Sequence, residues 1–457
     1  MLDDMLDYIQ NIRERPVWQA IPDATRLRFQ QALPRESSSL EDAHASFMND
    51  ILPYAAGNAH PGFMGWVNGG GTPVGMVAEM IAAGLNANLG GRNQMPVEVE
   101  RQVVRWMREL FGFPETASGI FVTGTSMANL MAVLIARTGA LGMSVRADGL
   151  QTGQPRLVAY TSDAAHVCIA QAMDLSGLGT AALRHIPVNA RHQIDLGALQ
   201  AAIDADRQAG LQPFFIAGTA GTVNTGAVDD LAALADIARR EAMWFHVDGA
   251  YGALGMLAAD VAPRLNGIER CDSLAFDFHK WGQVQYDAGF LLVRDGARHL
   301  EAFAAPAAYL RREARGLAAG SPWPCDFGPD LSRGFRALKT WMTIKVHGTH
   351  RLGQVVSETC RLARVLAARI EAHPALELLA PVSLNIVCFR YRCDDPDRVN
   401  RELIMDLHES GIVAPSSTTI DGAIAIRAAI FNHRTGEQDI DALLSTVLSL
   451  GASLSTR

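Results

Sequence analysis

Two stretches of this 457-residue chain place charged side chains where apolar strands give out. The first, Ser273–Leu274–Ala275–Phe276–Asp277–Phe278–His279–Lys280–Trp281, runs mostly apolar to Phe278 and then delivers a histidine and a lysine just before Gly282. The second, Met243–Trp244–Phe245–His246–Val247–Asp248–Gly249–Ala250–Tyr251–Gly252, closes a similar run with a carboxylate. A lysine is seldom fully buried unless it is paired or chemically used, and alone Lys280 reads as a surface residue after a strand. Beside Asp248 it reads differently. A strand-end lysine and a strand-end aspartate, separated by a helix-length connection, suit a cofactor with an aldehyde at one end and a cationic ring nitrogen at the other. Pyridoxal phosphate is such a cofactor, held by a lysine Schiff base and an acidic partner at its ring nitrogen.

Three further pieces fit that chemistry. Gly124–Thr125–Ser126 follows a strand and opens a helix, so it offers N–H groups, two hydroxyls and a favourable helix dipole to a phosphate. Thr and Ser are also ordinary helix caps, and the stretch is neither a P-loop nor a GxGxxG turn. Ser162–Asp163–Ala164–Ala165–His166 lies just past another strand, and its histidine suits either a ring-stacking role or a polar helix start. Thr219–Ala220–Gly221–Thr222 ends the next strand, within reach of a ring edge or a phosphate. Each piece is ambiguous; their order is less so.

The elements that must position these residues alternate. Strands are expected at Gly119–Thr123, Arg156–Thr161, Phe214–Ala217, 243–247, 273–278 and Gly289–Val293, with helices at 126–139, 165–175 and 229–240. That pattern predicts an α/β domain with a mostly parallel sheet, whose ligands sit beyond the carboxyl ends of the strands. Helical spacing also marks 74–87 and 98–111. Residues 1–60 read as a helical arm broken at Pro16, Pro22, Pro34 and Pro53, which packs on another subunit or caps its own chain. A long helix at 355–372, alternating stretches at 384–392 and 423–430, and helices near 397–410 and 437–450 read as a small α+β domain. The resulting boundaries are 1–60 for the arm, 61–345 for the large domain and 346–457 for the small one.

Composition narrows the function classes. Hydrophobic residues make up 49% and charged residues 19%, which indicates a folded globular protein. A net charge of −8 leaves no electrostatic footprint for nucleic acid. The six cysteines include no CxxC pair, so neither a zinc site nor a disulfide framework is implied. The acidic start Met1–Leu2–Asp3–Asp4 lacks a signal-peptide core, and no run of about 18 apolar residues suggests a membrane span. A soluble, cytoplasmic protein is expected.

The sequence resembles the group II pyridoxal-phosphate decarboxylases, the family of the aromatic-L-amino-acid, histidine, glutamate and cysteine-sulfinate decarboxylases. The likeness runs over nearly the whole chain. It is carried by His60–Pro61–Gly62–Phe63, Gly124–Thr125–Ser126–Met127–Ala128–Asn129, Ser162–Asp163–Ala164–Ala165–His166, His246–Val247–Asp248–Gly249–Ala250, His279–Lys280–Trp281 and Phe335–Arg336–Ala337–Leu338–Lys339–Thr340–Trp341. The resemblance implies the aspartate-aminotransferase-like fold (fold type I), pyridoxal phosphate as cofactor, no catalytic metal, and a homodimer with shared sites. It implies that Lys280 forms the Schiff base, Asp248 meets the ring nitrogen, His166 stacks on the ring and Ala250 packs on its other face. Gly124, Thr125, Ser126 and Thr219 would complete the phosphate and ring contacts, with His279 beside the lysine. It further implies that Tyr309, in Ala305–Arg311, returns the proton to the substrate's α-carbon.

Two departures bear on detail. The family often has an asparagine touching phosphate where this chain has Asp277; a carboxylate there repels a phosphate unless it points away, is protonated or is paired, so Asp277 is left out of the phosphate set. The aromatic decarboxylases tend to carry a tryptophan where this chain has Ala59, and Phe63 and Trp66 are the nearby aromatic candidates for the substrate wall. Arg92 is a candidate for a polar or acidic substrate. Arg427 reads as structural, because an arginine clamp on the carboxylate stabilises the ground state that decarboxylation destroys. The leading expectation is an L-amino-acid decarboxylase, an aromatic substrate favoured. The alternatives are a carbon–carbon lyase or an aldehyde synthase on the same cofactor, a metal hydrolase using His246, Asp248 and His279, and an inactive scaffold.

Overall fold

In chain order the strands are β1 (Phe63–Met64), β2 (Ser118–Val122), β3 (Leu157–Ser162), β4 (Leu183–Ile186), β5 (Gln212–Thr219) and β6 (Trp244–Asp248). They continue with β7 (Ser273–Asp277), β8 (Gly289–Val293), β9 (Leu376–Leu378), β10 (Ile386–Tyr391), β11 (Ala414–Ile420) and β12 (Ala423–Ala429). The computed structural model describes residues 1–151, 153–304 and 312–456. These form two compact units, Val74–Glu358 and the pair of segments Met1–Pro73 and Thr359–Arg457.

The first unit holds a seven-stranded sheet in the order β2-β8-β7-β6-β5-β3-β4. All its pairings are parallel except those of β8, which runs antiparallel to both β2 and β7. The exception has a local cause. A parallel return needs a long crossover, usually a helix, whereas residues 278–288 bring the chain straight back after β7. Those same residues carry His279 and Lys280. Strands β6 and β7 are buried along their whole length, and β5 is buried from Pro213 to Thr219. Helices cover both faces of such a sheet, so its strands read as continuous apolar runs.

The helix Thr125–Leu141 packs on this sheet through residues spaced three and four apart, including Ala128, Met131, Ala132, Ile135 and Ala136. They join Ile169, Phe215, Ala217 and Leu291 in one apolar cluster. That packing fixes where the helix begins, at the turn after β2. The turn is fixed a second way: a Cβ on Gly289, the first residue of β8, would lie 2.4 Å from the Gly124 Cα, so the two backbones touch. A buried ion pair secures the strand that feeds the turn. Arg333 donates to both oxygens of Glu100, at 2.5 and 3.0 Å, and to the Phe121 carbonyl at 2.8 Å.

Strand β4 and the helix Leu196–Gln208 are among the elements of this unit that lie outside the expected pattern. Strand β4 carries only two apolar residues, Leu183 and Ile186, because it is the sheet edge and one side needs no burial. The helix Leu196–Gln208 begins at an Asp195 cap and buries few residues, among them Leu199 and Ile203, too sparse an apolar stripe to stand out in sequence.

The second unit has a five-stranded sheet, β1-β11-β12-β10-β9, covered by helices that include Pro396–Glu409 and Glu437–Ser455. Its core gathers Leu362, Leu366, Leu403, Leu407, Leu443 and Val447. The N-terminal segment belongs to it: β1 pairs parallel with β11, the Val17 N–H donates to Gly411 O at 2.8 Å, and Arg13 pairs with Asp439 at 2.9 Å. Strand β11, Ala-Pro-Ser-Ser-Thr-Thr-Ile, has no apolar alternation and owes its place to pairing with β12. Among the described residues no helix is long and apolar enough to cross a membrane.

Candidate active site

The polar ends of β3, β5, β6 and β7 lie along one edge of the larger sheet, as the doubly wound pattern requires. Asp248 is the last residue of β6, in register with Thr219 of β5 on one side and Ala275 of β7 on the other. Its carboxylate is 3% exposed at the residue level and takes hydrogen bonds on both oxygens. The Ala250 N–H donates to Oδ1 at 3.0 Å and the Asn129 side-chain amide to Oδ2 at 3.1 Å. Thr219 is buried and its own N–H donates to Asp229 at 2.8 Å, which holds the end of β5.

Lys280 sits in the turn after β7, its side chain 19% exposed, with Nζ 2.8 Å from Asp277 Oδ2. The other oxygen of Asp277 accepts the Thr125 N–H at 2.8 Å, the first amide of the helix that follows Gly124. Asp277 is therefore neither turned away nor isolated; it is paired, and it joins the lysine to the phosphate-type loop. Its own N–H donates to Ala250 O at 2.9 Å, so the Asp248 turn is tied to the same residue. Both Asp248 and Lys280 act on the buried Cys168 thiol, whose pKa is raised chiefly by burial, then by Asp248, with Lys280 opposing.

His279 is 5% exposed and faces inward. Its Nδ1 accepts the Ala288 N–H at 3.1 Å, and its ring lies 4.2 Å from that of Tyr286. Burial holds its pKa down to about 4, against a smaller opposite pull from Asp277. His166 is exposed at the mouth, past the end of β3, its Nδ1 accepting the Cys168 N–H at 3.2 Å. Ser126 is exposed and Thr125 is buried.

Two hydroxyls here, Thr125 Oγ1 and Ser162 Oγ, are buried and have no hydrogen-bond partner among the described residues. Buried hydroxyls are nearly always satisfied. The Thr125 hydroxyl stands at a helix N-terminus, where an anionic oxygen is favoured twice over. The residues present thus fit pyridoxal phosphate: a lysine for the aldehyde, a strand-end carboxylate for the ring nitrogen, and an unpaired hydroxyl at a helix start for the phosphate.

The remaining expected residues are described by their own contacts. Arg92 is exposed, with φ of 84°, and its guanidinium lies 4.9 Å from the Trp323 ring centre, a ring that Arg312 approaches to 3.6 Å. Phe63 and Trp66 belong to the unit of 1–73 and 359–457, where their rings stack at 6.0 Å. Arg427 is 3% exposed in that same unit and donates from Nη1 to Trp66 O at 3.1 Å and Ser416 Oγ at 3.0 Å. Tyr309 lies outside the described residues.

The metal-hydrolase alternative fails on its donors. Both ring nitrogens of His246 are engaged, Nδ1 with Ser273 Oγ at 2.8 Å and Nε2 with Asn129 Oδ1 at 2.7 Å, and His279 Nδ1 is taken by Ala288. Among the described residues no group of three His, Cys, Asp or Glu is arranged to hold a metal ion. Asn129 is the residue that the sequence reading left without a role. A polar side chain one turn after Thr125, on a helix otherwise buried through apolar residues, was the signal.

Fold and donor set together define a pyridoxal-phosphate enzyme of fold type I. The family model for the pyridoxal-dependent decarboxylase conserved domain matches residues 22–392. The chain belongs to that family and is a pyridoxal-phosphate-dependent carboxy-lyase. It is 29% identical to an aromatic-L-amino-acid decarboxylase of Bacillus atrophaeus, over 99% of this chain and 94% of that one. It is 28% identical to a phenylacetaldehyde synthase of Arabidopsis thaliana, over 96% and 92% of the two chains. A crystal structure of Oryza sativa TDC with PLP and tryptamine superposes with a TM-score of 0.91 at 25% identity, covering 99% of this chain and 96% of that chain.

The buried histidine beside Lys280 sets a pH dependence. An unfolded histidine titrates near 6.5, and His279 in the folded protein near 4. Below pH 6.5 the unfolded chain binds more protons, so the stability gained by keeping His279 neutral is complete above that value and drains as the pH falls towards 4. Between pH 6 and 4.5 the native protein should lose stability more steeply than His279→Gln, by up to ~1.4 kcal/mol per pH unit. Parallel slopes in denaturant titrations of the two proteins would contradict this account.

Proposed function

We propose that this enzyme removes the α-carboxylate of an aromatic L-amino acid and releases the amine and CO₂. Lys280, Asp248, His166 and Tyr309 carry the chemistry at a site completed in a homodimer. The observation that carries the reading is the placement of Asp248 and Lys280 at and just past the ends of neighbouring strands, with Asp277 accepting both from Lys280 and from the Thr125 N–H, beside a Thr125 hydroxyl that has no partner among the described residues. The aromatic substrate is supported by the names of the relatives, an aromatic-L-amino-acid decarboxylase and a phenylacetaldehyde synthase.

When bound, pyridoxal phosphate supplies a cationic ring that accepts the electron pair left at the α-carbon as CO₂ departs. The protein's residues do the rest. Lys280 would hold the cofactor through its aldehyde carbon. Asp248, pinned by Ala250 and Asn129, presents an acceptor to the ring N–H. His166 and Ala250 would flank the cofactor's ring, and Gly124, Thr125, Ser126 and Thr219 would hold its phosphate and ring edge. His279, neutral and buried, keeps a second positive charge away from Lys280. Tyr309 donates a proton to the α-carbon, which commits the product to an amine. Arg427, engaged with Trp66 O and Ser416 Oγ, serves the fold of its own unit and leaves the substrate carboxylate free to depart.

A partner copy is supported by Met80, Ile81 and Leu85, which are 52, 41 and 58% exposed on the helix Pro73–Leu85. Apolar groupings of this kind on a surface mark interaction sites. Light scattering should give twice the chain mass of 49.2 kDa, and a monomer in solution would remove the shared site.

Incubated with a panel of L-amino acids, the purified holoenzyme should release amines from tryptophan, tyrosine or phenylalanine, with a visible absorption band that borohydride bleaches. Release of amine only from glutamate or cysteine sulfinate would overturn the substrate class. Tyr309→Phe should keep bound cofactor and substrate while amine formation falls roughly 100-fold or more, the range of a lost general acid. Aldehyde formed with consumption of O₂ is the expected diversion. Undiminished amine release by Tyr309→Phe would strip that residue of its role.

A further inference from the structure

We propose that Ser273, His246 and Asn129 form a one-way hydrogen-bond chain that positions the Asp248 carboxylate for the cofactor's ring nitrogen. The inference rests on the role given to Asp248 above and adds three positioning residues behind it. The contacts run without a gap. Trp244 Nε1 lies 2.8 Å from Ser273 Oγ, Ser273 Oγ 2.8 Å from His246 Nδ1, His246 Nε2 2.7 Å from Asn129 Oδ1, and Asn129 Nδ2 3.1 Å from Asp248 Oδ2.

The direction of every bond is set from the two ends. An indole nitrogen can only donate, so Ser273 Oγ accepts from Trp244 and keeps its proton free for His246 Nδ1 if that nitrogen is bare. An ionised carboxylate can only accept, so the NH₂ of Asn129 faces Asp248 and its carbonyl oxygen faces His246. His246 Nε2 therefore carries a proton and donates to Asn129, and in the neutral ring Nδ1 is bare and accepts from Ser273. Burial agrees, holding the His246 pKa down to about 3. The reverse tautomer would turn the Asn129 oxygen onto the Asp248 carboxylate, oxygen against oxygen. Cys168, whose sulfur lies 3.0 Å from Asn129 Nδ2, stays a neutral thiol because burial raises its pKa.

Its members leave little room to move. Asn129, His246 and Ser273 are each 0% exposed, and they lie on three elements, the helix Thr125–Leu141, β6 and β7. A run of polar side chains through an apolar core is costly unless each is satisfied, and here each is. With Ala250 N–H on Oδ1 and Asn129 on Oδ2, the carboxylate plane is held from two sides.

The test uses the cofactor-loaded protein and reads cofactor affinity and the pH dependence of the visible absorption band, which shifts with the charge held at the ring nitrogen, besides turnover. Asn129→Asp, nearly isosteric, sets an acid against Asp248. It should loosen pyridoxal phosphate roughly 10- to 100-fold, the scale of a hydrogen bond to a charged group, and shift the band. His246→Leu should act in the same sense, and His246→Gln, which keeps a donor and an acceptor, should restore much of the affinity and the spectrum. If Asn129→Asp does not fold, Ser273→Ala breaks the same chain with the loss of one oxygen. Lower thermal stability with unchanged affinity and spectrum in the chain variants, while Asp248→Asn alters both, overturns the proposal. An unaltered Asp248→Asn protein removes the role of Asp248 itself, a separate failure.

Discussion

The Asp277 carboxylate is the constraint on which the site depends. One oxygen takes the first amide of the helix after Gly124, the other holds the Lys280 ammonium, and the backbone of the same residue binds Ala250. Asp277 also ends β7 and pairs in register with Gly289, whose missing side chain lets Gly124 come against it. Helix start, lysine and the Asp248 turn are thereby referred to a single point on the sheet. A carboxylate beside a phosphate site would ordinarily oppose an anion; here its charge is offset by Lys280 and by the helix dipole.

The second organising feature is that imidazoles in the interior are kept neutral by burial. His246 and His279 both lie within or just after the central strands, and desolvation leads the causes that depress each of them. Neutral rings can accept and donate at once, which is why they serve as links: His246 between Ser273 and Asn129, His279 as acceptor from Ala288. Of the histidines His166, His246 and His279, His166 is the exposed one. The arrangement separates the buried histidines, which link neighbouring elements, from the exposed one.

Family membership and the sheet architecture agree with this division of labour. Strands that are buried on both faces have no freedom to host function along their length. Function collects at their ends and in the connections, and the 278–288 return, which makes β8 antiparallel, is the connection that carries the lysine. Lys280 thus lies on the connection that leads into the antiparallel strand of the larger unit.

Much of this was written in local sequence. The apolar runs of β5 to β8 announced themselves because a strand covered on both faces must be apolar throughout, and Lys280, Asp248 and the Gly124–Ser126 turn stood out as polar groups at the ends of such runs. Edge and polar elements such as β4 and β11 did not, since solvent or cross-strand pairing removes the need for an apolar pattern. The partner of Asp277 was open between several choices, and the role of Asn129 was silent, because each depends on a contact across more than one hundred residues. Residue types and their order therefore determined the chemistry available to this chain. Which helix amide reaches Asp277, which hydroxyl is left unpaired and which amide braces Asp248 were decided only by tertiary structure, because packing alone brings those distant groups within hydrogen-bond reach.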